Sequence, residues 1–132
     1  MSRSDENLYE ILLKNLKEAI IFADAEGRIQ VFNPVAEAYF EIKRKQALGK
    51  RLEKVIPNKN IRKHFDSVYE KKESNHDIEL AIRVPATVST DGETRILQCS
   101  FYPIFDKGKT FLGCLAKFAD VTEKGLLSRE IS

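Results

Sequence analysis

Asn33-Pro34 constrains this chain more than any other dipeptide, because it turns a strand into a helix within one step of the backbone. Asn is a preferred N-cap and proline is favoured at the first helical position, so a helix starts here by mechanism rather than by propensity. The sequence before it reads as a hairpin. Residues 19–24 (AIIFAD) are small and apolar and suit a strand buried on both faces. Asp24-Ala25-Glu26-Gly27 is a short turn in which Gly27 is free to take the positive φ that closes a hairpin. Residues 28–33 alternate Ile29 and Val31 against Gln30 and Phe32, the period of a second strand. The helix over 34–40 carries Tyr39 and Phe40 as its heavy apolar side chains.

Residues 4–16, ahead of the hairpin, form an amphipathic helix with Leu8, Ile11, Leu12 and Leu16 at i, i+3, i+4 and i+8. About three turns are marginal alone, so this helix must cover the sheet or extend into a partner. Beyond residue 40, residues 47–50 read as a helical turn ended by Gly49, and 52–56 as another stopped by Pro57. Asn60 is placed to cap a helix over 61–72 whose apolar stripe is Ile61, Phe65 and Val68, with Tyr69 at its edge. Three strands follow: 77–84, alternating Ile78, Leu80 and Ile82 with polar residues; 94–105, alternating Leu97, Cys99 and Phe101 with Gln98 and Ser100; and 110–119. The last is almost wholly apolar apart from Lys117 and should lie centrally. Residues 85–93 and 106–109 are turns between antiparallel strands. Two early strands and three late ones predict an α+β domain, a five-stranded antiparallel sheet with short helices on one side and the N-terminal amphipathic helix in front.

One domain fits 132 residues, divided here as 1–17 entering helix, 18–123 core domain and 124–132 the start of an exit helix. A net charge of +2 gives no dedicated nucleic-acid or membrane surface, and Lys43-Arg44-Lys45 reads as a solvated helix end. No apolar run approaches the roughly 18 residues that cross a bilayer, and no signal peptide opens the chain, so the cytoplasm is the expected compartment. Cys99 and Cys114 lie in apolar strands without metal-ligand spacing and read as reduced core thiols.

The run AIIFADAEGRIQVFNPVAEAYF, the later ALGKRLEKVIP and the closing FADVTE together resemble the PAS domain of signalling proteins, over residues 7–123. The order and spacing of the three carry the resemblance. It implies a ligand-binding cleft between the helices and the sheet. Strand parity and the family pattern together nominate Ile21, Phe32, Ala36, Phe40, Phe65, Leu80, Cys99 and Ala116 as its lining; plain core packing is the other reading. Such a pocket suits a small apolar or aromatic ligand, and a filled core is equally consistent. Haem-binding family members supply a proximal histidine from the helix that carries His64, which falls roughly 60–70° off the stripe's centre on the cleft edge. The plainer reading, a partly exposed surface histidine, is the expectation, and the cofactor is left unknown. The photoactive subclass carries its cysteine in an N-C-R-F helical motif, absent here. Asp120-Val121-Thr122 matches the family's D-x-T, which couples the sheet to an outgoing helix; an ordinary N-cap is the plain alternative. Leu126, Leu127 and Ile131 are too few for a coiled coil.

No catalytic constellation assembles. His64 and His76 are the only histidines and lack metal-binding motifs, Ser100 and Ser128 lack a G-x-S-x-G context, and no glycine-rich loop cradles phosphate. The resulting expectation is a cytoplasmic PAS sensor or dimerisation module of a bacterial or archaeal histidine kinase or transcriptional regulator. It would act as a homodimer through Leu8, Ile11, Leu12 and Leu16 and signal to an effector domain through Asp120 and Thr122. Two alternatives stay open: a small-molecule-metabolising enzyme of similar build, and a ligand-free interaction scaffold. A polar pair in an open pocket would favour the first, and no pocket the second.

Overall fold

The computed structural model describes residues 8, 11, 12, 15–83 and 94–121, with only the backbone of Arg83 and Thr94. Its elements are β1 (Ala19–Asp24), β2 (Ile29–Phe32), α1 (Pro34–Phe40), α2 (Arg44–Ala47), α3 (Leu52–Val55), α4 (Lys59–Lys71), β3 (Asn75–Arg83), β4 (Thr94–Phe105) and β5 (Phe111–Asp120). Every pairing is antiparallel, in the order β2-β1-β5-β4-β3. β5 is therefore the central strand, as its apolar run requires. Ala116 pairs with Ile21 on one side and Phe101 on the other, so the first and last thirds of the chain meet in one ladder.

The Asn33 cap is made as its chemistry dictates. Its side-chain oxygen accepts the Ala36 N–H (3.1 Å) and the Ile20 N–H (2.9 Å), while its amide donates to the Glu18 carbonyl (2.8 Å). Asn33 is only 2% exposed, and every one of these bonds replaces water that the buried group has lost. One side chain thus starts α1 and ties it to the entry of β1. In the preceding turn Gly27 takes φ +82, and the Asp24 carboxylate accepts the N–H groups of Glu26 (2.9 Å) and Arg28 (3.0 Å).

Four local expectations are corrected. β1 is buried fully on one face only: Ala19, Ile21 and Ala23 face the helices, and Ile20 and Phe22 are half-buried because no described element covers the other side. In β2, Ile29 and Phe32 are the buried pair rather than sitting on opposite faces, because the pairing shifts between Phe22 and Ala23 and the bulge resets the alternation. The cap of α4 is Asn58, whose side chain accepts the N–H groups of Asn60 (2.9 Å) and Ile61 (3.1 Å); Asn60 is already inside the first turn. β3 begins at Asn75, two residues early, and absorbs the difference in a bulge where Asp77 takes φ 53.

Ile61, Phe65 and Val68 of α4 pack with Leu97, Cys99, Phe101, Ala116 and Phe118 of the sheet in a single core that also takes in α1, α2 and α3. Of the entering stretch, Leu8, Ile11 and Leu12 are helical and the Asn15 N–H reaches the Ile11 carbonyl at 3.1 Å, but the chain turns at Asn15, so Leu16, expected on the same helix, lies past its end. These three and Leu16 are between 44% and 59% exposed.

Candidate functional site

Three places could carry function: the layer between helices and sheet, an open cleft beside α4, and the end of β5. In the layer, six of the nominated residues (Ile21, Phe32, Ala36, Phe65, Cys99 and Ala116) are fully buried in the common core, with Phe40 and Leu80 packed at its margin. A run of aromatic contacts crosses it. Phe40 meets Phe118 at 5.6 Å between centroids, Phe118 meets Phe101 at 5.8 Å, and Phe101 meets Phe65 at 5.2 Å, all edge to face. This geometry favours ring pairs and links α1 to α4 through β5 and β4. Burial pushes the thiols of Cys99 and Cys114 up to about 12, which leaves both protonated and unreactive.

His64 is half-buried and lies nearly flat on Phe101, centroids 5.5 Å apart and planes 25° off parallel. Burial lowers its pKa below the usual value, and the charge of Lys63 lowers it further. Phe65 and Phe101, both fully buried and in edge-to-face contact, fill the core beneath the His64 ring. Among the described residues no group of three or more His, Cys, Asp or Glu side chains is placed to hold a metal ion.

The cleft lies outside the layer. The β1–β2 turn, α3 and α4 enclose about 610 Å³, and Phe65 is the one nominated residue that lines it. Leu52 and Phe65 supply buried apolar wall, and Glu26, Glu53, Asp66 and Glu70 form an exposed rim. Arg62 and Tyr69 complete it. The Tyr69 hydroxyl sits 3.1 Å from the Ala23 carbonyl oxygen and 2.5 Å from that of Asp24, so its proton is committed to the hairpin backbone. Burial, then the nearby Cys114, Asp24 and Asp66, raise its pKa well above the ordinary phenol value. The sequence held no signal for this cleft, because its walls come from three segments that only the fold brings together.

At the end of β5 the Asp120 carboxylate lies 3.1 Å from the Arg95 guanidinium, an ion pair reaching across to β4. Leu97 is Asp120's partner in the ladder, which sets Arg95 on the diagonal. Tyr39 of α1 is close enough to register the pair: burial raises its pKa first, and the Asp120 charge raises it further. The backbone pairing continues one residue past β5, with the Val121 N–H on the Ile96 carbonyl at 2.9 Å. Thr122 lies outside the described residues. Sequence reasoning named Asp120 and missed Arg95, since a diagonal partner is visible only once the register is known.

A family model described as the PAS fold matches residues 7–121. The chain is 24% identical over 126 residues to the alginate biosynthesis sensor protein KinB of Pseudomonas aeruginosa, covering 96% of this chain and 20% of that protein. It thus spans about a fifth of that relative's length. Among solved structures, histidine kinase ThkA in complex with the response regulator TrrA is similar at TM-score 0.73 and 27% identity, over 93% of this chain and 34% of that one. The isolated PAS domain of ThkA matches at 0.62 and 26% identity, over 80% of this chain and all of that one (100%). The PAS domain of a Colwellia psychrerythraea protein matches at 0.61 and 20% identity, over 90% of this chain and 98% of that one. Among the described residues no helix is long and apolar enough to cross a membrane.

Proposed function

This chain belongs to the PAS family, and on that premise we propose that it is the sensory module of a two-component histidine kinase, without catalysis of its own. The kinase reading rests on the likeness to ThkA, crystallised with a response regulator, and to a sensor protein of P. aeruginosa. In this reading residues 18–123 form the sensing domain, the preceding helix assembles it, the segment after residue 123 leads to the effector, and the whole lies in the cytoplasm.

The single observation that carries the coupling is the Arg95–Asp120 pair. It joins the last residue of the central strand to β4 and stands beside α1, so a change in the layer alters the point where the chain leaves the sheet. A ligand or partner shifts such an equilibrium only by its differential affinity for the two states. The aromatic run from α1 to α4 passes through Phe118, two residues before Asp120 on β5, and the residues nominated in the layer lie along it. The experiment is an in-frame deletion of residues 18–121 from the parent protein. Autophosphorylation that persists but no longer responds to stimulus supports the sensory role; unchanged regulation overturns it.

Homodimerisation goes with this function. Leu8, Ile11 and Leu12 expose apolar side chains from helical backbone and Leu16 adds a fourth just beyond it, and exposed apolar patches of this kind mark interfaces. Sedimentation of the chain and of an Ile11→Glu, Leu12→Glu variant tests it. A dimer that the variant abolishes is expected, and a monomer in both cases ends the idea.

A further inference from the structure

The cleft beside α4 holds one feature that packing does not explain. The Nε of Arg62 is buried and has no hydrogen-bond partner among the described residues; of the two such donors there, Arg95 Nε at least has the Asp120 carboxylate 3.1 Å away, whereas Arg62 has no ion-pair partner among those residues. Buried donors without acceptors are rare in folded proteins, and each asks for a missing partner. Arg62 stands on the wall of a cavity of about 610 Å³, within the usual range for small-molecule sites of roughly 300–1,000 Å³. Asp66 and Glu70 follow it at i+4 and i+8 on the same face of α4, and Glu26 and Glu53 come from the turn and from α3. None of these four carboxylates forms an ion pair among the described residues; the pairs there are Arg95–Asp120 and Lys117–Glu18.

The charge arrangement decides the ligand class. A simple anion would satisfy Arg62 but would face four carboxylates. A simple cation would satisfy the rim but would leave the buried donor without an acceptor and set a like charge beside it. The acidic side chains do not converge on a metal site. We infer that the cleft binds a small zwitterion with an apolar body, of the amino-acid type. Its carboxylate takes the Arg62 guanidinium, which matches carboxylate geometry in a way an ammonium does not. Its ammonium group takes the rim, and its side chain lies along Leu52 and Phe65. The Tyr69 hydroxyl, already held by the Ala23 and Asp24 carbonyls, takes no part. It ties α4 to the hairpin and so keeps the two walls at a fixed spacing.

This inference names what the module senses and rests on the sensory reading only for that meaning. Binding is measured on the 132-residue chain without reference to output, so the two can fail separately. The probes are L-leucine and L-phenylalanine in calorimetric titration and amide-resolved NMR. Two controls each carry one of leucine's charged groups: 4-methylpentanoate, without the amine, and 3-methylbutylamine, without the carboxylate. At least one amino acid is expected to bind, shifting the amides of Gly27, Glu53, Arg62 and Asp66. Each leucine analogue should bind more weakly than leucine, or not at all. Arg62→Gln should weaken binding at least about tenfold, the share of one charge-assisted hydrogen bond. Glu79→Gln, an exposed change on β3, should leave it unaltered. No binding of either amino acid overturns the inference. So does an amine or a carboxylate alone that binds as tightly as leucine, or amide shifts confined to other elements. If Arg62→Gln does not fold, the shift map and the two analogues decide the matter on the unaltered chain.

Discussion

Gly113 lies against Ala23 with no room for a side chain: a Cβ at 113 would overlap the Ala23 carbonyl oxygen and stand 2.8 Å from the Asp24 Cα. Its φ of +150 is also one that other residues rarely adopt. The obstacle is backbone of the neighbouring strand, held in place by the ladder and by the Tyr69 hydroxyl on the same carbonyl. Gly113→Ala should therefore destabilise the domain by about 3 kcal/mol or more, an overpacking cost that no side-chain rotation relieves. Gly108, where the nearest atom is the Asp106 carboxylate at 3.4 Å, should accept the same change with little effect. Urea unfolding of the two variants checks this, and equal losses would contradict it.

Asn33→Ala should cost more than an ordinary cap. The usual loss of an N-cap is about 1 kcal/mol. Here the Ile20 N–H and the Glu18 carbonyl lose a partner as well. A total of about 2–4 kcal/mol is expected, since each polar group left unsatisfied in a buried site costs about 1–3 kcal/mol. Asn33→Asp keeps the acceptor, loses the donor to Glu18 and should fall between the two. Thermal melts give the order, and an Asn33→Ala loss no larger than a surface cap's would refute it.

Folding favours neutral His64, because burial on Phe101, and then Lys63, depress its pKa from 6.5. The unfolded chain binds the proton more readily, so this contribution is present above the unfolded pKa and is lost as pH falls through the folded one. His64→Leu keeps apolar contact and removes the titration. Urea unfolding across a pH series should show wild-type stability declining below about pH 6.5 more steeply than that of the variant. Asp24 acts lower down. Burial opposes its ionisation, but the N–H groups of Arg28 and Glu26, the Gln30 amide and the Arg28 charge together hold its pKa below 3.8. Its contribution is lost only as pH falls through that depressed value, and Asp24→Asn should flatten the acid end alone.

The sequence was most legible where structure is decided locally. Asn33-Pro34 starts α1 through a cap and a fixed φ, and Gly27 closes the hairpin, because both choices are made by the residues themselves. The apolar run of β5 identified the central strand, since both of its edges and one face must be covered. Legibility ended where a neighbour decides. Asn58 and Asn60 are chemically equivalent as caps, and it is Asn58 whose backbone is extended and whose side chain reaches the first turn. The bulge opposite Phe22 and Ala23 resets which β2 residues turn inward, and no alternation rule contains it. The nominated lining residues were found on the inner face, but parity separates inside from outside and not a filled layer from a cavity. Arg95 and Asp120 stand 25 residues apart, and the cleft sets the β1–β2 turn against α3 and α4, which periodicity does not carry.

In the proposed sensory role, Asp120 is the point where the state of the sheet leaves the domain. Asp120→Ala breaks the ion pair with Arg95, and Arg95→Ala breaks it from the other side. Both groups are partly exposed, so the loss of stability should be no more than about 1 kcal/mol, and the fold should survive. The decisive measurement is autophosphorylation of the intact parent protein with and without stimulus in each variant, beside thermal melts of the domain. Folded domains whose output no longer depends on the stimulus are expected, with a basal level displaced in the same direction by both substitutions. Normal switching in both variants would contradict that role and leave Asp120–Arg95 as a surface ion pair.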